Sequence, residues 1–342
     1  IEFILNNSEA KGVVVSNKFQ LNKILKVRNN CRHLQFIIVL NEKDANKDIP
    51  GVYSFKEVQE AGRVYREKHP DFFEKEKKKA DENHICTIIY TSGTTGEPKG
   101  VMLSHKNILS NVKAALEAFP INSEDIFLSF LPLCHIFERM AGYYAGFAAG
   151  SSLYFADSID TVSQNLMEVR PTMLTTVPRL FEKMYTKIIK NVDSQPPAKR
   201  KIFYWGVETA KEYMYAKKQG KVSLALKTRY KLADKLVLST IREKTGGKLR
   251  FFVSGGAPLS LELGEFFEAV GMHIREGYGL TETAPVIAIN RVDDFKFGTV
   301  GKVLPGVEVK IGSDGEILCR SACVMLGYYK NNKETNEAIK DG

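Results

Sequence analysis

The chain has 342 residues, of which 44% are hydrophobic, and it carries a formal net charge of +9. That is enough apolar material for a large core in two or more lobes, and it excludes a disordered chain. No apolar run approaches the ~20 residues that a membrane-spanning helix needs, and no charged-then-apolar leader opens the chain.

Residues 1–60 alternate helical and strand patterns. Gly12-Val-Val-Val-Ser16 and Leu34-Gln-Phe-Ile-Ile-Val-Leu40 read as buried strands. Short apolar strands separated by helical segments predict an α/β fold with a mostly parallel sheet. Asp71 to Glu82 is densely charged and reads as an exposed helix or linker. Ile85-Cys-Thr-Ile-Ile-Tyr90 is a further strand. Ser104 is placed to cap the next helix, whose buried face is Ile108, Val112, Ala115 and Leu116. Asp125 to Phe130 reads as a strand, and the small residues from Ala141 to Ser152 suit a tightly packed helix. Ser152–Phe155 and Thr172–Val177 are strand-like, and Val177-Pro-Arg-Leu180 opens a helix.

Residues 180–245 read as mostly helical, broken into a hairpin at Pro196-Pro197. Leu226, Tyr230, Ala233, Val237 and Ile241 mark one apolar stripe with lysines on the other face. Leu249–Val253 returns to a strand and runs into Ser254-Gly-Gly-Ala-Pro258. From about residue 291 glycines become regular. Val307–Ile311 faces Glu316–Arg320 across Ser313-Asp-Gly315, a hairpin signal. The sequence therefore divides into a two-lobed α/β core over 1–290 and the start of a small β-rich, barrel-like subdomain over 291–342.

The charge is uneven. Residues 185–250 hold 17 Lys/Arg against 5 Asp/Glu, a local excess of 12, so the rest of the chain is at −3. Such clustering suits solvated helix faces, an anionic lipid surface or a polyanionic substrate. The aromatic interleaving that stacks bases is missing, which argues against nucleic acid. The five cysteines (Cys31, Cys86, Cys134, Cys319, Cys323) form no even framework and no paired metal-ligand spacing, so reduced thiols of a cytoplasmic protein are expected.

The most specific chemistry lies in Tyr90-Thr-Ser-Gly-Thr-Thr-Gly-Glu-Pro-Lys-Gly100. Thr91, Ser92, Gly93, Thr94 and Thr95 offer backbone N–H groups at little steric cost. Four of them add hydroxyls, Gly96 adds freedom, and Lys99 adds charge. This is a polyphosphate grip. It is not the kinase-type loop, which puts four residues between its glycines, nor a Gly-x-Gly-x-x-Gly fingerprint.

This segment resembles the phosphate-loop signature of the AMP-forming, adenylate-forming enzymes; Pro132-Leu-Cys-His-Ile-Phe-Glu-Arg139, Val177-Pro-Arg-Leu-Phe-Glu-Lys183 and the basic helical insertion resemble their long-chain fatty-acid–CoA ligase type specifically. Glu276-Gly-Tyr-Gly-Leu-Thr-Glu-Thr283 is similar to the family's nucleotide and metal segment. Gly315–Arg320 with Val324–Lys330 is similar to a later structural segment. The resemblance covers essentially the whole chain and implies the family's layered α/β lobes. It implies that the loop grips the β- and γ-phosphates of ATP, and that Gly255, Gly256, Ala257 and Pro258 form the adenine wall. Around the nucleotide it places Glu276, Gly277, Tyr278 and Gly279, with the Tyr278 ring against the base. Thr281 would bond the α-phosphate, Glu282 would hold Mg²⁺, and His135 would orient the acyl carboxylate or gate thiol entry.

The implied reaction joins a fatty acid to AMP and then to CoA. An acyl-carrier-protein acceptor, another adenylating enzyme or a non-catalytic nucleotide-binding homologue are the alternatives. Small residues from Ala141 to Gly150 could line an acyl tunnel or simply pack closely. Arg320-Ser-Ala-Cys323 departs from the family's Arg-Gly-Pro. The chain opens without Met inside an apolar pattern and stops at Asp341-Gly342. It therefore reads as an internal piece of a longer protein, before the ribose-binding Asp and the mobile C-terminal domain with its catalytic lysine. Such a piece is expected to be inactive or nearly so, and contact with the inner membrane face through the basic helices is a further expectation.

Overall fold

The computed structural model describes residues 1–46, 48–92 and 96–340. The chain forms two compact units, Ile1–His105 with Leu326–Gly342, and Lys106–Met325.

In the first unit, β1 (Gly12–Val15), β2 (Phe36–Val39) and β3 (Val52–Ser54) make a parallel sheet in the order β1-β2-β3. Its inner face carries Val15, Ile37, Val39 and Val52, which close a core with Leu5, Leu21 and Ile24. Ser54 ends β3 and starts the helix Phe55–Lys68 in one step. Its hydroxyl accepts from the Glu57 amide, and Glu57 returns a carboxylate to the Ser54 amide.

The same unit holds β4 (Ile85–Thr91) and β5 (Lys99–Ser104), an antiparallel pair, with the short strand Gly327–Tyr328 on the outer edge of β5. The phosphate-loop motif thus joins two strands of a hairpin. The sequence reading placed it between a strand and a helix. Lys99 to Ser104 is strand because its backbone finds partners on both sides, and six residues carry no helix-length pattern to show this beforehand.

The second unit is built on β6 (Ile126–Ser129), β7 (Ser152–Phe155), β8 (Met173–Thr176), β9 (Phe251–Ser254), β10 (Ile274–Gly279), β11 (Val286–Ile289) and β12 (Lys302–Val303). They form one sheet in the order β12-β11-β10-β9-β8-β6-β7. The five strands β7, β6, β8, β9 and β10 run parallel, and β11 and β12 close the sheet antiparallel. Every residue of β8 and β9 is buried, as expected of strands covered on both faces. One face packs on the helices Pro178–Asp193, Pro197–Lys218 and Leu261–Ala269 through Leu128, Leu174 and Phe252. There Phe181 sits between Phe252 and Phe267, with ring centroids 5.2 and 5.3 Å away. The helix His105–Ala118 covers the other face.

The N-terminal strand ends are tied by buried Asp125. It accepts from the Thr172 hydroxyl at 2.6 Å and from Arg250 Nη1 at 2.8 Å, joining the starts of β6, β8 and β9. The C-terminal ends are left to carry the site. A hairpin of β13 (Val307–Ile311) and β14 (Ile317–Ser321) follows, as its turn residues predict. Residues 180–245 are mostly helical, with one break just before Pro197, where a helix starts, and a second between Lys218 and Leu224.

Candidate functional site at the carboxyl edge of the large sheet

Ser254 and Glu276 face each other in register at the ends of β9 and β10. After Ser254 the chain turns through Gly255-Gly-Ala-Pro258, with Gly256 in the left-handed region at φ +81°. Gly255 is tightly placed for a different reason: a Cβ there would lie 3.0 Å from the Phe137 ring, which would have to give way. The turn is anchored at its far end, where the Leu259 amide donates to Glu276 Oε1 at 3.1 Å. Burial raises the Glu276 pKa, and that amide opposes the rise. The proposed adenine wall and the strand of the nucleotide segment are therefore one hydrogen-bonded assembly.

Beyond Glu276, β10 bulges between Tyr278 and Gly279. A Cβ on Gly279 would fall on the Pro285 carbonyl oxygen, so no other residue fits. The chain then makes a single 3₁₀ turn, Thr281–Thr283. The Leu280 amide donates to Thr283 Oγ1 at 3.1 Å, and the Thr283 hydroxyl donates to the Pro285 carbonyl at 2.6 Å. Thr283 is spent on structure, while Thr281 and Glu282 stay half-exposed beside it. The Glu282 carbonyl also accepts from the Met325 amide at 2.8 Å. Behind this turn, Asn111 reads like a strand neighbour of β11. Its Nδ2 donates to the Val286 carbonyl at 2.8 Å and its Oδ1 accepts from the Val286 amide at 3.1 Å.

His135 is exposed in the loop after β6. The Phe137 amide donates to its Nδ1 at 3.3 Å, so the neutral ring carries its proton on Nε2. Next comes a π-helix, Glu138–Tyr144, followed by the α-helix Ala145–Ala148, where the small residues from Ala141 to Ser152 suit a tightly packed helix. Glu138 is 0% exposed, and neither carboxylate oxygen completes a hydrogen bond among the described residues. Burial pushes its pKa up to about 7. The nearby Ser129 hydroxyl opposes that rise. Gly142 lies against the carboxylate: a Cβ there would sit 2.5 Å from Oε1.

The small residues of this segment divide between two roles. Ala141 and Ala145 join Phe119, Met140, Met173 and Val253 around a narrow apolar cavity. Gly142 and Gly146 serve close packing, the latter against Leu153 and Phe127.

In the first unit, Thr91 pairs with Lys99 at the turn end of the hairpin, Ser92 is exposed, and Gly96 has φ +102° with open space around it. Gly93, Thr94 and Thr95 lie outside the described residues. Lys99 Nζ forms an ion pair with Glu334 and stands 5.3 Å from the centre of the Tyr328 ring. The sequence reading assigned no role to Glu334, Glu138 or Asn111. Glu138 lies inside Pro132-Leu-Cys-His-Ile-Phe-Glu-Arg139, but nothing local marks a glutamate as buried.

A family model described as AMP-binding enzyme matches residues 1–329, and the chain belongs to that family. It is 39% identical over 262 residues to the long-chain-fatty-acid–CoA ligase FadD15 of Mycobacterium bovis, covering 75% of this chain and 43% of that protein. It is 33% identical over 352 residues to the long-chain-fatty-acid–CoA ligase ACSBG2 of Xenopus laevis, covering 99% of this chain and 47% of the relative. The chain thus spans about half the length of these curated relatives. Among solved structures, the inhibitor-bound N-terminal domain of FACL13 from Mycobacterium tuberculosis superposes with a TM-score of 0.67 at 19% identity, covering 100% of this chain and 71% of that one. ATP-bound MatB from Rhodopseudomonas palustris gives 0.65 at 20% identity, covering 99% and 56%. These likenesses show the adenylate-forming fold. Among the described residues no helix is long and apolar enough to cross a membrane.

Proposed function

We propose that this chain carries the nucleotide- and acyl-binding part of an enzyme that activates a long-chain fatty acid with ATP. The products would be acyl-AMP and pyrophosphate, and transfer to CoA would then release AMP. The observation that carries this reading is the Glu276 anchor. It holds the Gly255–Pro258 turn against a bulged strand that ends in Thr281 and Glu282.

In this reading the flat backbone of Gly255, Gly256, Ala257 and Pro258 faces one side of the adenine, and Tyr278 offers its ring. Thr281 donates its hydroxyl to the α-phosphate. Both reactants are anionic, so charge must be neutralised before the carboxylate meets phosphorus, and fixed N–H dipoles with a cation do this in a dry site. Thr91 to Gly96 supply dipoles and Lys99 a charge. Glu282 fits a magnesium ligand: it is a single half-exposed carboxylate on a turn, and Mg²⁺ is held by one or two carboxylates with substrate phosphates and water. When bound, the ion would screen phosphate charge. His135, its proton on Nε2, presents a donor that could orient the acyl carboxylate.

The test is acid-dependent ATP–pyrophosphate exchange by the full-length protein over acids of increasing chain length, followed by thiol-dependent AMP release. Exchange that peaks with long chains and release that needs CoA support the reading. Release that needs a carrier protein changes the acceptor. Nucleotide binding without exchange for any acid refutes catalysis.

A further inference from the structure

The helix Asn332–Ala338 follows the short strand Gly327–Tyr328 and buries none of its residues. A helix this short, with no buried face, is not stable by itself. Its support is specific. The Asn331 side chain caps it, accepting from the Glu334 amide at 3.2 Å. Thr335 docks on the strand: its Oγ1 accepts from the Tyr328 amide at 2.9 Å, and a Cβ on Gly327 would lie 2.7 Å from its methyl carbon. The strand is held to β5 by the Leu326 amide on the Met102 carbonyl at 3.0 Å and the Tyr329 amide on the Gly100 carbonyl at 2.7 Å.

Glu334 adds a different kind of contact. It pairs with Lys99, and both side chains are mostly buried, at 25% and 15% exposed. The Tyr328 ring stands on a second side of Lys99, its centre 5.3 Å from Nζ. The charge that the phosphate-loop motif offers is therefore already committed, to a carboxylate 235 residues further on. An ammonium has donors enough for two anions, but a carboxylate and a polyphosphate brought to one nitrogen repel each other at close range. A ligand takes Lys99 only by bringing more negative charge than Glu334 does. A triphosphate brings it, whereas AMP has no phosphate beyond the α position. When Lys99 changes partner, the strand keeps its bonds to β5 and the pair of Lys330 with Glu9 at 2.7 Å. The helix alone loses its ionic tether.

We propose that Glu334 is a latch on Lys99: a polyphosphate that takes Lys99 expels Glu334 and loosens the helix Asn332–Ala338, and departure of the polyphosphate lets the helix dock again. Glu334 is then a specificity-determining residue, because it withholds Lys99 from ligands of lower charge. Coupling of this kind is reciprocal, so the latch weakens polyphosphate binding by the same factor by which the polyphosphate loosens the helix. The proposal rests on the reading of Lys99 as part of the phosphate grip.

The test is amide hydrogen exchange of the peptide spanning residues 331–339, with titration calorimetry, using tripolyphosphate and AMP as probes. Saturating tripolyphosphate is expected to speed exchange there roughly fivefold, and saturating AMP to leave it unchanged. Glu334→Gln keeps the Asn331 cap. It should exchange at the fast rate without ligand, respond no further, and bind tripolyphosphate roughly fivefold more tightly. Lys99→Met should exchange as fast and bind tripolyphosphate roughly tenfold more weakly. The wild-type response needs no variant, so an unstable variant leaves the test intact. If tripolyphosphate binds through Lys99 and the helix does not respond, the latch is overturned and the phosphate grip stands. If wild type and Lys99→Met bind tripolyphosphate alike, or neither binds it, both fall. Exchange that quickens as much with AMP also overturns the latch, since the helix then answers to something other than charge at Lys99.

Discussion

Glu138 makes the most exacting prediction. Its carboxyl is fully buried, no described residue pairs its oxygens, and its pKa is pushed from 4.5 to about 7. The folded chain therefore binds this proton more tightly than the unfolded chain does. Between pH 4.5 and 7 the folded state holds the proton that the unfolded state has lost, so stability must fall as pH rises. The contribution is complete below 4.5 and gone once pH has passed 7. A shift of that size corresponds to about 3 kcal/mol, lost at roughly 1.4 kcal/mol per pH unit.

Glu138→Gln keeps the shape and cannot ionise. Urea unfolding of wild type and variant from pH 5 to 8.5 isolates the effect, because all other titrations cancel in the difference. The variant should gain on wild type by about 3 kcal/mol across that range. Parallel stability curves would show that Glu138 is hydrated or paired when ionised, and would refute the reasoning.

Asn111→Ala removes both hydrogen bonds to Val286 and strands a buried amide and carbonyl, and should cost about 2–4 kcal/mol in denaturant unfolding. Glu276→Ala frees the Leu259 amide and loosens the Gly255–Pro258 turn. AMP affinity measured by titration calorimetry should fall roughly tenfold, while Glu276→Gln, which keeps an acceptor oxygen, should lose far less. Lys99 shares its charge with Glu334 in this structure. Glu334→Gln should therefore tighten ATP binding severalfold and leave AMP binding unchanged, whereas Lys99→Met should weaken ATP by roughly tenfold or more. ATP affinities that ignore both substitutions would remove Lys99 from the phosphate grip.

Much of the fold is written in local pattern. The apolar runs of β6, β8 and β9 announce themselves, because strands buried on both faces must be continuously apolar, whereas β1 and β2, which read as buried strands, leave Val14 and Phe36 exposed. Of the stripe Leu226, Tyr230, Ala233, Val237 and Ile241, all are buried except Tyr230, which is partly buried. Ser313-Asp-Gly315 marks the β13–β14 turn, and the ordered motifs identify the family, since few chemistries need that loop, that turn and that acidic segment together.

Other features depend on partners far along the chain. Lys99 to Ser104 becomes a strand only because β4 and Gly327–Tyr328 lie on either side of it. Lys99 meets a carboxylate 235 residues away. Glu138, charged in any local reading, is sealed from water by β6 and Gly142. Leu224, Leu232 and Leu236 look like core residues and stand in solvent. The sequence by itself determined many of the strands and helices and which family the chain joins, because periodicity and short motifs are local. Tertiary structure alone decided which polar groups are paired and which apolar ones are uncovered, because burial and hydrogen bonding are set by what lies across the fold.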